Sequence, residues 1–485
     1  MLKSRVIDVL KALSPEELKQ LRDFVHSPFH NKNKNVMAMF DYIKKYYPSF
    51  NDAGFTKEKI FKKIFPSKEY NDTVMRILLS DLMRITEDYL VCKQVAKSET
   101  DYTAFLLKDL MERKIEKLFL KKYKESSAAS DDLKINDTFF LYRHSIEELN
   151  KGFNIDRNMQ QLNSKNLVDM GNYLIIYFLI KLSSVVYDID VNRNNFNTEF
   201  NSSSVEGFRS FINHDSIKFL IKNEEFKERD ILEMFYYAFL LNYDNVPEET
   251  YTKLKELFYK NIPGLERSAV YNLFLSLINY NGKRNWKDTD NKYRKETLEL
   301  YKEMLRTGYY SWNEGGFMTV IMFRSILTLC SMLRDIDWME YFINNYIDML
   351  EPAQRQNMFY FSKAKLDFSK RDYASSLENI SKVNYNLFTF KFDVKTLMLQ
   401  IYYELCYFEE AAAMVDSYRH FLSNNRNVSQ SFREWNVNFL NFYVELINCK
   451  SGRKKTELDL LRKRIDSATN TASSVWLKNK AYELS

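Results

Sequence analysis

Glycine, proline, histidine and cysteine are all scarce in this chain, which has 10, 7, 5 and 4 of them among 485 residues. So few helix-breaking residues predict helices throughout. The ten glycines form neither of the two common patterns of the glycine-rich loops that bind nucleotide phosphates, and only two of them are adjacent. The histidines and cysteines do not form the clusters that bind metal ions. We therefore expect neither enzymatic activity nor a cofactor.

The cysteines and the longest apolar run argue against two further classes of protein. Each of the four cysteines is far from the others and lies in an apolar stretch that should be helical, so we predict free thiols and a reducing compartment. The longest apolar run, residues 173–187, contains Lys181 and two serines and is shorter than the ~20 residues that span a bilayer. We expect a buried helix here, and a cytoplasmic protein without a membrane partner.

One pattern recurs at a constant spacing in residues 314–424. Trp338, Tyr373 and Phe408 are 35 residues apart, and apolar residues keep the same offsets before each of them. Between these aromatic residues the apolar positions have the period of an α-helix, so each helix carries one apolar stripe that a neighbour must cover. A fixed period of this length is typical of stacked helical repeats. The three aromatic residues should occupy equivalent places at the start of the second helix in consecutive pairs.

The turns of this pattern resemble those of tetratricopeptide repeats. In that family an aromatic residue is followed three positions later by a small residue, as Tyr373 is by Ser376 and Phe408 by Ala411. The first copy departs from the family, because Tyr341 stands where the small residue belongs. The resemblance covers about residues 230–485. It implies an all-α fold of helical-hairpin repeats stacked into an α-solenoid.

The N-terminal region differs from the rest of the chain in charge. Residues 1–95 contain 17 Lys and Arg against 12 Asp and Glu, whereas the remainder contains 54 against 53. A chain of this length exceeds a single compact core of about 250–300 residues. The predicted segments are a small basic helical module (1–95), irregular helical pairs (96–187), a linker or hinge rich in asparagine and serine (188–204), and a tetratricopeptide-like repeat array (205–485).

Two connectors in the C-terminal half are unusual in their glycine and tryptophan content. Residues 281–287 and 307–316 flank one predicted helix and hold four of the ten glycines and two of the five tryptophans. Exposed aromatic residues on a loop held by a rigid scaffold commonly form a binding hot spot. The alternative is that both tryptophans fold back and cover helix ends. The candidate partner-binding residues are Trp286, Tyr309, Tyr310 and Trp312.

Two functions fit these features. The first is an interaction scaffold or adaptor in which the concave face of the array binds a peptide or helix of another protein. The second is a nucleic-acid-associated regulator in which N-terminal lysines contact phosphates and the repeats act as a sensor or dimerisation arm. The absence of arginine, the usual reader of bases, from residues 30–70 favours the first function. The candidate nucleic-acid contacts are Lys44, Lys45, Lys57, Lys59, Lys62 and Lys63.

These two functions make different demands on the placement of the lysines. In a nucleic-acid-binding protein the lysines should converge on one surface of the module. In a scaffold they should be spread around it as the solvated faces of amphipathic helices.

Overall fold

The structure is a computed structural model that describes residues 4–52, 55–129, 133–136, 138–195, 205, 207, 214–222, 228–243, 245–284, 290–384, 388–425, 428–452, 458–468 and 470–484. Within these ranges every named element is a helix, and β-type pairing is limited to two isolated bridges. The predicted all-α class is confirmed.

The chain divides into two compact units. The smaller unit comprises Met1–Ala129 and Glu148–Gln160, and the larger unit comprises Ser130–Glu147 and Gln161–Ser485. The first division between the units falls after residue 129. The helices that follow the module belong to the same unit as the module itself.

Seven α-helices follow one another in the described part of residues 4–129. The second helix starts with a capping box: the Ser14 hydroxyl accepts a hydrogen bond from the Glu17 amide at 3.2 Å, and the Glu17 carboxylate accepts one from the Ser14 amide at 2.7 Å. Such reciprocal bonds satisfy amides that a helix start otherwise leaves unpaired. The helices are α1 (Arg5–Ala12), α2 (Pro15–His26), α3 (Lys34–Ile43), α4 (Lys57–Ile64), α5 (Asp72–Lys97), α6 (Glu99–Glu112) and α7 (Glu116–Ala129).

The larger unit consists of helices that pack mainly against their neighbours in sequence. Contacts between every second helix also occur, between α11 and α13, α15 and α17, and α17 and α19, and α21 returns to contact α9. The helices are α8 (Phe139–Ile155), whose second part belongs to the smaller unit, α9 (Ser164–Asn195), α10 (His214–Lys222), α11 (Arg229–Leu240), α12 (Glu248–Asn261), α13 (Arg267–Arg284), α14 (Lys292–Thr307), α15 (Val320–Leu333), α16 (Ile336–Tyr346), α17 (Pro352–Ser369), α18 (Tyr373–Ser381), α19 (Phe388–Leu405), α20 (Phe408–Asn424), α21 (Gln430–Lys450), α22 (Leu458–Ser467) and α23 (Ser474–Glu483).

Helix α9 includes the first part of the predicted linker. It extends to Asn195, so residues 188–195 are helical, while residues 196–204 lie outside the described residues. Asparagine disfavours helices because its side chain competes for backbone hydrogen bonds, but here the Asn192 amide donates to the Asp188 carbonyl at 2.8 Å, one turn earlier in the same helix. The Asp190 carboxylate also lies 3.3 Å from the Lys283 ammonium of α13, which holds this end of α9 in place.

The apolar run in α9 is buried on one face only. Tyr173, Ile176 and Leu179 are at most 4% exposed, whereas Leu174 and Phe178 are 47% and 39% exposed. By length and composition, Gln160–Asp190 could cross a membrane, and 33% of its most apolar window is buried. The core helices of soluble proteins pass the same test. The expectation of a fully buried helix is therefore wrong for the second face.

Three connections between helices of the larger unit share one backbone conformation. Arg334, Arg371 and Cys406 end the first helix with positive φ angles of 57°, 65° and 60°. In each turn the next residue donates its amide to the carbonyl five residues earlier at 2.9 Å. This is the Schellman motif, which usually places glycine at the position with positive φ. The three turns achieve the same geometry with arginine or cysteine.

The turn geometry shifts the predicted register in the first of these connections. The second helix begins at Ile336, Tyr373 and Phe408, so Trp338 is the third residue of its helix and is not equivalent to the other two aromatic residues. All three aromatic side chains are half-buried. Trp338 stacks on Phe342 in the same helix, with ring centroids 5.4 Å apart.

The corrected register removes the apparent exception at Tyr341. Met339, Ser376 and Ala411 now occupy the same position, three residues after the helix start, and all three are 0% exposed. Tyr341 is instead 53% exposed. A large side chain is accommodated there because it points to solvent and not into the turn.

The cysteines carry free thiols but do not share one environment. Cys330 is buried in α15, as expected of a small hydrophobic residue. Cys92 is exposed on α5, and Cys406 is exposed in a turn, so the expectation that each lies within an apolar helix is wrong for Cys406.

The larger unit has two separate hydrophobic clusters, and the C-terminal helix α23 packs on the second of them. Leu477 and Ala481 are 0% exposed, and the Trp476 ring lies 5.2 Å from that of Tyr403. The Lys480 ammonium lies 2.8 Å from the Glu404 carboxylate, and the two side chains are only 12% and 10% exposed. Helix α23 thus covers apolar residues of α19 and α21.

Candidate functional site

A groove in the larger unit is lined by α9, α11, α13 and the loop between α14 and α15. Its volume is about 950 Å³, at the upper end of the ~300–1,000 Å³ typical of ligand sites. Charged, amide, hydroxyl and aromatic side chains are all present in its lining. They include Lys134, Asn136, Lys181, Tyr187, Asp188, Phe235, Glu266, Arg267, Tyr271, Asn272, Tyr309, Trp312 and Glu314.

The start of the loop is fixed by Arg267, in the first turn of α13. Gly308 ends α14 in the left-handed conformation with a φ angle of 80°, which glycine adopts without steric cost. The Arg267 guanidinium donates to the Gly308 carbonyl at 2.6 Å and lies 5.3 Å from the centre of the Tyr309 ring. One side chain thereby holds both the backbone and the aromatic ring beside the groove.

The remainder of the loop is held by bonds within itself and to a neighbouring segment. The Ser311 side chain is 4% exposed, and its hydroxyl donates to the Asn313 carbonyl at 2.7 Å. A Cβ atom on Gly316 would lie 1.9 Å from the Asn313 amide oxygen and 3.0 Å from the Ser311 hydroxyl, so a larger residue here would displace these side chains. Beyond it, the Met318 amide donates to the Met349 carbonyl at 2.8 Å. The loop is therefore rigid on both sides of its tip.

Two of the four predicted partner-binding residues line this groove. Trp312 is 65% exposed at the loop tip, and Tyr309 is half-buried beside Arg267. Tyr310 packs against the core and does not line the groove. Trp286 lies outside the described residues. For Trp312, the alternative that the indole folds back over a helix end is wrong.

The other predicted connector begins as helix. Residues 281–284 form the last turn of α13, where the sequence suggests a loop. Asn281 is 1% exposed, and its amide donates to the Tyr251 hydroxyl at 3.3 Å. Asn281 and Gly282 indicated the end of the helix in the sequence. Because the Asn281 side chain is buried, the helix continues to Arg284.

Two tyrosines from different helices line the groove. Tyr187 belongs to α9 and Tyr271 to α13. Burial raises the pKa of Tyr187 to about 12, with further contributions from Tyr271 and Asp188. Burial also raises the pKa of Tyr271. Both hydroxyls therefore remain protonated at physiological pH and can donate hydrogen bonds to a ligand.

The short segment before α8 forms one end of the groove. Its Ile135 amide donates to the Gly264 carbonyl at 2.8 Å, and the Glu266 amide donates to the Ile135 carbonyl at the same distance. The Asn136 side chain donates to the Glu266 carboxylate and accepts from the Phe139 amide at 2.7 Å. These bonds place Lys134 at the start of α13.

The charges that line the groove cancel. Lys134, Lys181 and Arg267 are matched by an equal number of carboxylates, those of Asp188, Glu266 and Glu314. A groove without net charge gives no long-range attraction to a polyanion. Its mixture of hydroxyl, amide and aromatic groups suits a ligand with both polar and apolar parts.

The six candidate lysines of the smaller unit do not form one cluster on a single helix. Lys44 and Lys45 lie in the 3-10 turn Lys44–Tyr46. The Lys57 ammonium lies 2.9 Å from the Asp72 carboxylate, so that its charge is compensated. The remaining three, Lys59, Lys62 and Lys63, are exposed on α4.

No metal site accompanies the groove. Across the described ranges, no group of three or more histidine, cysteine, aspartate or glutamate side chains could hold a metal ion.

Comparison with known proteins gives no match: no family model, curated protein or solved structure is similar to this chain. The groove has to be interpreted from its own residues.

Proposed function

We propose that this protein is a non-enzymatic interaction scaffold that binds a peptide or short helix of another protein in the groove beside Trp312. The observation that carries the proposal is a large exposed indole on a rigid loop at the edge of a preformed groove. Tryptophan is enriched at binding hot spots because it buries a large area at low cost in side-chain entropy. A loop that is already ordered pays little further entropy on binding.

The groove walls offer the groups that a polypeptide ligand requires. The hydroxyls of Tyr187 and Tyr271 can donate to backbone carbonyls, and the Asn272 amide can both donate and accept. Trp312 and Tyr309 supply apolar surface for one or two ligand side chains. The balanced charges favour a polypeptide over a nucleic acid at this site.

The wider proposal is that the larger unit is a tetratricopeptide-like α-solenoid. The shared turn geometry at Arg334, Arg371 and Cys406 supports it, and so do the contacts between every second helix. Stacked helical hairpins build extended concave surfaces that hold peptides. The free thiols agree with a cytoplasmic location, which we propose as well.

The test is to select peptide ligands from a displayed library on the full-length protein and to measure their affinity for Trp312→Ala. Loss of a tryptophan hot spot costs at least about 2 kcal/mol, or about 30-fold in Kd. Stability should not change, since Trp312 is largely exposed. The matched control is Trp435→Ala, because Trp435 is 44% exposed on α21 and does not line the groove.

Two results would contradict the proposal. Selected peptides that bind Trp312→Ala as tightly as the unaltered protein would show that the groove is not their site. An equal loss of affinity in Trp435→Ala would show that any exposed tryptophan contributes, and that the 308–316 loop has no special role.

A further inference from the structure

Helix α4 of the smaller unit presents three lysines on one face. Lys59, Lys62 and Lys63 are all exposed, whereas Ile60 and Phe61 are 0% and 2% exposed and face the core. Residues three and four apart on a helix are surface neighbours with Cβ atoms about 5–6 Å apart. The three ammonium groups therefore point to solvent together, as one compact basic surface that we call the α4 face.

The carboxylates nearest in sequence do not neutralise the α4 face. Glu58 bonds to its own backbone amide and to the Thr56 hydroxyl at the helix start, which lowers its pKa. The Asp72 carboxylate is occupied by Lys57 at 2.9 Å, the Tyr70 hydroxyl at 2.8 Å and Arg76 at 2.6 Å. Among the described residues, no carboxylate lies within ion-pair distance of the three lysines.

Some exposed lysines on other helices of this chain are compensated by a carboxylate on the same helix. Lys253 lies 2.7 Å from Glu249, and Lys382 lies 2.6 Å from Glu378, each one turn away on its own helix. Such intrahelical pairs give a solvated face with little net charge. The α4 face lacks this compensation, so its charge is available to an anionic partner.

We propose that the α4 face binds the phosphate backbone of nucleic acid without reading its sequence. Lysine provides a compact positive charge for phosphate but lacks the planar fork with which arginine recognises guanine. The apolar side chains of α4 face the core, so nothing on this surface can insert into a bilayer, as membrane-bound amphipathic helices do. This proposal is independent of the groove and its peptide.

The test compares DNA binding by Lys59→Gln/Lys62→Gln/Lys63→Gln with binding by the unaltered chain. Fluorescence anisotropy of two unrelated 20-base-pair duplexes would be followed from about 50 to 200 mM salt. Each phosphate contact contributes a slope of about −0.9 to the log–log salt dependence. Removing three contacts should make the slope shallower by roughly 2.7, equally for both duplexes. Circular dichroism should be unchanged, because exposed charges contribute little to stability.

The control is Lys117→Gln/Lys121→Gln/Lys124→Gln on α7, which removes the same charge from exposed positions of the same unit. It should retain the original slope. An equally shallow slope in the control would overturn the proposal, since net charge alone would then account for binding. So would the absence of measurable binding by the unaltered chain at about 50 mM salt.

Two further probes separate nucleic acid from other polyanions. Polyglutamate or anionic vesicles that bind as tightly as DNA, and lose affinity in the α4 variant, would assign the face to another class of partner and overturn the proposal. Trp312→Ala should bind DNA normally. The outcome for the α4 face therefore does not depend on the outcome for the groove.

Discussion

The groove and the α4 face are constructed in opposite ways. The groove is assembled from segments that are far apart in sequence, at Lys134, Tyr187, Tyr271 and Trp312, and its charges cancel. The α4 face lies within five consecutive residues of one helix, and its three charges are all positive. The apolar residues of the same helix are buried beneath it. A local site depends on the packing of one helix against the core, whereas an assembled site depends on every contact that positions its parts.

The most severe test of this difference is Gly316→Ala. The added Cβ atom would lie 1.9 Å from the Asn313 amide oxygen and 3.0 Å from the Ser311 hydroxyl, so these side chains of the loop have to move. A displaced Asn313 should disturb its neighbour Trp312 and weaken peptide binding about 10-fold, which corresponds to about 1.4 kcal/mol. Isothermal titration calorimetry with a selected peptide would measure the loss. DNA binding through the α4 face should be unaffected.

The control for this substitution is Gly282→Ala. Gly282 lies within α13, and a Cβ atom there would meet no atom within 4 Å. Alanine in a helix interior should raise stability by about 0.5–1 kcal/mol relative to glycine, with peptide affinity unchanged. If Gly316→Ala bound peptide normally, the loop would be adaptable and the groove would not depend on a fixed conformation.

A smaller effect should follow Arg267→Lys. The charge of the groove is preserved, but lysine cannot both donate to the Gly308 carbonyl and stack on Tyr309 as the guanidinium does. Losing about 1 kcal/mol of this anchoring should weaken peptide binding roughly 5-fold. Arg306→Lys, in the last turn of α14 and outside the groove lining, makes the same chemical change. Equal losses in the two variants would argue against a specific role for Arg267.

Local patterns predicted the helices well, because helix boundaries depend on nearby residues. The capping sequence after Ser14, the proline at the first position of α17 and the apolar stripe of α5 are each visible in the sequence and coincide with a helix of the structure. The α4 face is local for the same reason. Its lysines could be identified from the sequence, but only the structure shows that Lys57 is compensated by Asp72 and does not belong to the face.

The register of the three turns could not be derived from the sequence, because the aromatic residue of the first turn lies at a different helix position from the other two. Trp338 was aligned with Tyr373 and Phe408 by residue type, although its turn ends two residues earlier. Glycine would have marked the residue with positive φ, but Arg334, Arg371 and Cys406 occupy that position. Large residues adopt this conformation only where tertiary packing compensates for its cost, and packing is not visible in a sequence.

The groove was predictable only in part. The glycines of the 307–316 connector indicated an unusual loop, and Trp312 is exposed at its tip. The other groove residues Tyr187 and Tyr271 could not be identified from the sequence, because each lies in an apolar helix where a tyrosine is expected to be a core residue. They become groove residues through the packing of α9 against the helices around it.

The smallest expected effect concerns Asp72, which sets the border of the α4 face. Hydrogen bonds from Lys57 and Tyr70, together with the charge of Arg76, lower the pKa of this carboxyl from 3.8 to about 2. A pKa that is depressed in the folded state stabilises the fold above the unfolded-state pKa of about 4. That stabilisation is lost as the pH falls from about 4 to about 2.

Substituting Asp72→Asn should therefore destabilise α5 slightly at neutral pH and make no difference near pH 2. Hydrogen exchange of peptides from residues 73–97 would measure this, since the ratio of the two proteins' rates cancels the intrinsic pH dependence. Asp88→Asn, which removes an exposed pair with Arg84 on the same helix, controls for surface charge. The substitution also frees Lys57, so the slope of DNA binding against salt should steepen by up to about 0.9. A slope that stays the same would mean that Lys57 does not reach the bound phosphates, and that the α4 face ends at Lys59.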